Sequence, residues 1–180
     1  MNTNQIKLQK TSKVVSILTK IIYIALIVAM CMEVIAIAWI GISPDSNSFM
    51  IGSVTIASPI SKDGHTNGEV VAELSSNLVN QVLLFAIFVI AHQIFKDISH
   101  EHTPFNIKHV KRIKTISILT LISSIITPTI EMALTKIFAP AVEASSEINF
   151  GFIAIAIMFY CLALIFEYGT ILQTQSDETL

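Results

Sequence analysis

Charged side chains are scarce in this 180-residue chain: they make up 13% of it, against 53% apolar residues, and the mean hydropathy is +0.70. An ordinary water-soluble domain carries about 25% charged residues, so a soluble globular fold is excluded. Cysteine is nearly absent. Cys31 and Cys161 both sit inside apolar runs without metal or redox spacing, which excludes a disulfide framework and leaves a small apolar packing role as the expectation. The chain also lacks a nucleophile–base pair, a phosphate-binding loop and a zinc pattern, so no enzyme, cofactor or metal is expected. No internal repeat of the transporter kind is evident. The length suits one domain, residues 1–180.

What is present is apolar run after apolar run. Val14 to Ile42 is interrupted only by Lys20 and Glu33. Ala36-Ile37-Ala38 resembles a signal cleavage site, but a signal h-region is about 7–15 residues and this run is far longer. About 20 apolar residues cross a bilayer, so an uncleaved span is expected here, with Lys20 snorkelling to the boundary. Further spans are expected over about 78–98, 113–138 and 150–166. Residues 43–77 form the longest polar segment, with turn formers at Ser43-Pro44-Asp45, Asp63-Gly64 and Asn67-Gly68. Its stretch SFMIGSVTIA alternates enough to form a short β-hairpin, and Glu69 to Leu74 can already be helical. This loop is read as a structured connector rather than a ligand trap. The expected fold is an all-α antiparallel four-helix transmembrane bundle with a small extracytoplasmic loop.

Four spans put both ends of the chain on one side, and the positive-inside rule selects the side. With the ends inside, nine of the eleven Lys and Arg face the cytoplasm (Lys7, Lys10, Lys13, Lys20, Lys96, Lys108, Lys111, Arg112 and Lys114), and only Lys62 and Lys136 lie outside. The expected location is the inner (cytoplasmic) membrane, multi-pass, with Met1–Lys13, residues 99–112 and the stretch after Phe166 cytoplasmic.

The richest segment is the hinge His100–Lys114, HEHTPFNIKHVKRIK. Thr103 can cap a helix and Pro104 suits its first position, with Phe105, Val110 and Ile113 near helical spacing. Such a helix, run on to Phe138, is about 52 Å long at 1.5 Å per residue, against a hydrocarbon core of about 30 Å. Its first turns therefore lie at the headgroups, where Lys108, Lys111 and Arg112 suit anionic lipid. His100, His102 and His109 match no zinc spacing and read as a solvated, titratable cluster. Glu167, at the inner end of the fourth span, is expected to reach Lys111 or Arg112.

Ionisable groups inside a span are functional candidates. Glu131 continues a stripe of Ser123, Thr127 and Thr135 at i, i+4 spacing, and Pro128 frees the carbonyl of Ser124. Such a stripe faces the bundle. Glu33 lies at a comparable depth, so the two carboxylates are expected to share a proton, cation or water pocket. His92, nearer the inside, forms a separate site. The plainer reading is that these hydroxyls are interhelical glue, worth about 0.6 kcal/mol per contact.

The Pro104-Phe105 pair after the second span, then Asn106 and a basic residue before the third, resembles the DUF2975 family of small four-span bacterial membrane proteins. The closing IFEYGTILQTQSDETL, with its Gly, Leu-Gln pair and late Asp, is similar to that family's ending. Thr103 departs from it, because Gly often precedes the Pro-Phe pair there. The resemblance implies no established activity. It does imply gene neighbourhood with a small helix-turn-helix regulator, and hence a non-enzymatic regulatory or sensory membrane partner with Asn106 and Glu167 at its cytoplasmic face. The alternative is a small transporter or proton/ion-coupled channel component using Glu33 and Glu131. Expected partners are the bilayer, anionic lipid at the inner face, a cytoplasmic regulator protein and a second copy of the chain, with no direct contact to nucleic acid.

Overall fold

The computed structural model describes residues 3–42, 49–51, 54–57, 67–101, 106–140 and 148–178. In chain order these form α1 (Thr3–Ile42), β1 (Phe49–Ile51), β2 (Val54–Ala57), α2 (Asn67–Glu101), α3 (Ile107–Phe138) and α4 (Phe150–Glu178). The all-α architecture of four long apolar helices is the expected one. All four are long and apolar enough to cross a membrane: Ile6–Ile42, Gly68–His100, Ile107–Phe138 and Phe150–Ser176. The chain is an integral membrane protein.

The burial pattern says the same in another way. Large apolar side chains point outward along the helices, Ile42 at 80%, Phe150 at 77% and Met158 at 70% exposure. The buried positions are rich in small and hydroxyl residues: Ser12, Ser16, Thr19, Ser76, Ser117, Thr120, Ser123 and Ser124, with Ala36, Ala72, Ala156 and Ala163. Lipid tails are as apolar as leucine, so helices associate in a bilayer through close approach at small residues and hydrogen bonds between helices. Cys31 and Cys161 are both exposed, which corrects their expected packing role.

The helices run beyond the expected spans. Met1–Lys13 was expected as a polar tail, yet α1 is helical from Thr3, because Gln, Lys and Leu are good helix formers and no Gly or Pro intervenes before Gly41. The stretch after Phe166 is likewise helical to Glu178. The turn signals Ser43-Pro44-Asp45 and Asp63-Gly64 fall outside the described residues. Asn67-Gly68 is not a turn but the start of α2. Between α1 and α2, β1 and β2 pair antiparallel with Met50 opposite Thr55 and Ile51 opposite Val54, and the register is irregular between Phe49 and Met50.

Both later helices start on an asparagine cap. Asn106 Oδ1 accepts from the Lys108 amide at 2.9 Å, and its carbonyl accepts from the His109 and Val110 amides at 2.9 and 3.2 Å. Asn149 Oδ1 accepts from the Phe152 amide at 3.2 Å. A side-chain oxygen at this position satisfies one of the amides that a helix start leaves without a carbonyl. This corrects the expected start of α3. Thr103, Pro104 and Phe105 lie outside the described residues, and the helix begins one residue after Asn106. Its 32 residues then span roughly 48 Å, running unbroken through Pro128.

The contacts divide the chain into two compact units. The first comprises Met1–Ala25, Leu83–Ser123 and Asn149–Leu180; the second comprises Leu26–Val82 and Ser124–Ile148. The first unit draws on all four helices. Its core is Ile94, Ile98, Ile113, Ile116 and Ala163, with Leu8 of α1 and Phe159 and Phe166 of α4 packed against it. In the second unit, Ala36 and Ala72 are fully buried, and Gly68 lies against the end of α3. A Cβ on Gly68 would collide with the Phe138 carbonyl.

That approach generates a prediction. Gly68→Ala forces backbone apart and is expected to cost about 1–3 kcal/mol in an unfolding titration in detergent. Gly41→Ala, with nothing within 4 Å of its Cβ, is expected to leave stability unchanged or slightly raised. Equal behaviour of the two variants would contradict the close crossing.

Candidate functional site

Polar side chains concentrate in the first unit at the end that carries the α2–α3 connection. Residues from all four helices meet there. Arg112 donates to Asp97 Oδ2 at 2.6 Å, tying α3 to α2. Lys114 donates to Glu167 Oε2 at 2.9 Å, tying α3 to α4. Gln9 donates through Nε2 to the Ser99 carbonyl at 3.2 Å, tying α1 to α2. Side chains in both ion pairs retain roughly a third of their exposure. Each pair alone is therefore a modest contributor, about 0–1 kcal/mol, and their effect is to fix register. Farther along the same unit, Ser117 Oγ donates to the Ala156 carbonyl at 2.8 Å, a hydroxyl bond between α3 and α4.

Several expectations are corrected here. Glu167 does reach the basic segment, but its partner is Lys114, neither Lys111 nor Arg112; Arg112 is committed to Asp97. Lys108 and Lys111 are exposed. His109 is fully buried, so it does not belong to a solvated histidine cluster; His102 lies outside the described residues. No group of three or more metal-ligating side chains occurs among the described residues. A groove of about 550 Å³ runs between the start of α3 and the end of α4, lined by Asn106, Ile107, Thr170, Ile171, Gln173 and Thr174.

His92 forms a distinct contact between α2 and α1. Its Nδ1 lies 2.9 Å from the Ser16 carbonyl and 3.1 Å from Ser16 Oγ. A carbonyl only accepts, so Nδ1 carries the proton and Nε2 is the ring's other polar atom. Tyr23 meets the same ring edge-on, with centroids 5.6 Å apart.

On α3 the stripe expected to face inward does so: Ser123 and Ser124 are buried and Thr127, Glu131 and Thr135 half-buried, while Ile125, Ile126, Thr129, Met132 and Lys136 are exposed. Two hydroxyls on this side of α3 turn to their own helix. Thr120 donates to the Ile116 carbonyl at 2.8 Å and Thr135 to that of Glu131 at 2.8 Å. Thr127 Oγ1 is buried without a hydrogen-bond partner.

In the second unit, Glu33 pairs with Gln81, not with Glu131. Gln81 Nε2 donates to Glu33 Oε1 at 2.8 Å. No hydrogen bond or ion pair links Glu33 to Glu131 among the described residues. The remaining oxygens of the pair, Glu33 Oε2 and Gln81 Oε1, are both buried without partners. Both are acceptors when Glu33 is ionised. The sequence signal was the Asn80-Gln81 interruption of an apolar run, which the carboxylates overshadowed.

No family model, curated protein or solved structure matches the chain.

The pair is testable. Glu33→Gln keeps an acceptor for Gln81 Nε2 and is expected to unfold within about 0.5 kcal/mol of the wild type, while Gln81→Leu strands a buried carboxyl at about 1–3 kcal/mol in an unfolding titration in detergent. Equal stability of Gln81→Leu and the wild type would contradict the pairing.

Proposed function

We propose that this chain is a non-enzymatic regulatory or sensory partner in the bacterial cytoplasmic membrane, acting through the face that bears the α2–α3 connection. The orientation follows from charge: the segments at that end hold nine of the eleven Lys and Arg, and cationic loops stay in the cytoplasm. Membership of the DUF2975 family, carried by Pro104-Phe105-Asn106 and the closing stretch, is part of the same proposal, and with it a small helix-turn-helix regulator as the cytoplasmic partner.

The observation that carries the reading is the clamped end of the first unit. Asp97–Arg112 and Lys114–Glu167 hold α2, α3 and α4 in register. The Asn106 cap fixes where α3 emerges. Lys108 and Lys111 remain exposed on that framework, beside the groove between α3 and α4. A preorganised cationic surface of this kind is suited to docking, because little ordering is left to do on binding. The transport alternative rested on Glu33 and Glu131 acting together. Glu33 is instead matched with Gln81, so that alternative is the weaker one.

A photo-crosslinker placed at Ile107 or Ile171 in intact cells is expected to capture a soluble regulator, with capture lost in a Lys108→Glu/Lys111→Glu variant. Recovery of only lipid and self-adducts would overturn the proposal.

A further inference from the structure

A second cationic feature of the first unit is used neither by the ion-pair clamps nor by the proposed docking face. The start of α1 and the end of α2 enclose a groove of about 510 Å³, whose walls include Lys10, Lys13 and Lys20 from α1 and His92, Lys96 and His100 from α2. The spacing explains the convergence. Positions 10, 13, 17 and 20 follow the i, i+3, i+7, i+10 pattern of one helix face, and 92, 96, 99 and 100 form the matching face of α2.

No carboxylate lines this groove. Its four lysines have no ion-pair partner among the described residues, whereas Arg112 and Lys114 nearby each have one. Lysines one turn apart on this wall, such as Lys10 and Lys13, repel one another unless an anion lies near them. The groove also contains hydrogen-bonding groups of fixed position. Gln9 is held on the Ser99 carbonyl and His92 on the Ser16 carbonyl, so the polar wall exists before any ligand arrives.

We propose that this groove binds the phosphate of an anionic lipid headgroup. Phosphate is the shared chemistry of a lipid and of a soluble phosphoryl anion, and the surroundings favour the lipid. Ile17 forms part of the groove wall and is 51% exposed, and Val14 and Ile21 flank it at 56% and 58%. A helix that carries lysines along a groove and exposed isoleucine and valine beside them places phosphate and acyl chain where each is satisfied. Basic pockets between transmembrane helices take lipid headgroups in this manner. The site rests on the membrane insertion of the chain and is independent of the regulatory reading.

The test uses the full chain purified in detergent and exposed to phosphatidylcholine micelles doped with phosphatidylglycerol, with retained lipid counted by native mass spectrometry. The wild type is expected to retain phosphatidylglycerol over phosphatidylcholine. Lys13→Gln/Lys96→Gln is expected to cut that retention on the order of tenfold. Lys7→Gln/Lys136→Gln removes the same charge outside the groove and is expected to leave retention nearly unchanged. All four positions are exposed, and an unchanged gel-filtration profile identifies folded variants. Equal loss in the two double variants would mean diffuse charge attraction and would overturn the site. So would absence of any headgroup preference. Excess inorganic phosphate forms the second arm: thermal stabilisation by phosphate alone, without lipid retention, would reassign the groove to a soluble anion and overturn the lipid proposal.

Discussion

A polar group inside hydrocarbon has no water to fall back on, and the arrangement of this protein follows from that constraint. Burying leucine against leucine gains little where lipid is already apolar, so the helices meet instead through alanine, glycine and serine. Ser117 reaches across to a carbonyl of α4, Gln81 to the Glu33 carboxyl and Gln9 to a carbonyl of α2. Hydroxyls without a partner across the interface, such as Thr120 and Thr135, turn to their own helix.

Much of the architecture was legible in the sequence because hydropathy and charge are summed over many residues. Runs of about 20 apolar residues define spans regardless of detail, and the crowding of lysines into two segments survives any error in a single boundary. Helix limits were less legible. Thr103 and Asn106 both suit a cap by local rules, and only the hydrogen bond from the Lys108 amide to Asn106 Oδ1 separates them. Residues that are good helix formers carried α1 and α4 into polar stretches where hydropathy alone ended them.

Pairing between helices was the least legible part, since it depends on how each helix is rotated about its axis. Lys111 and Lys114 lie about 60° apart on α3, and both were plausible partners for Glu167 by reach. The rotation of α3 decides for Lys114. The same rotation buries His109, which its place in the hinge groups with His100 and His102 in a solvated cluster. Glu33 and Glu131 were matched by depth, yet depth says nothing about facing; Gln81, an uncharged residue, faces Glu33. The cationic groove between α1 and α2 was hidden for a related reason. Its lysines were counted for orientation, and their convergence with His92 and His100 appears only when two helices are laid side by side.

The proposed orientation, with the clamped basic end in the cytoplasm, underlies both the regulatory reading and the place of its partner. Side-specific labelling tests it most directly. In a Cys31→Ala/Cys161→Ala background, Lys111→Cys is expected to react with a membrane-impermeant maleimide only after the membrane is opened, while Asn47→Cys reacts in intact cells. Labelling of Lys111→Cys in intact cells, with protection at Asn47→Cys, would contradict it.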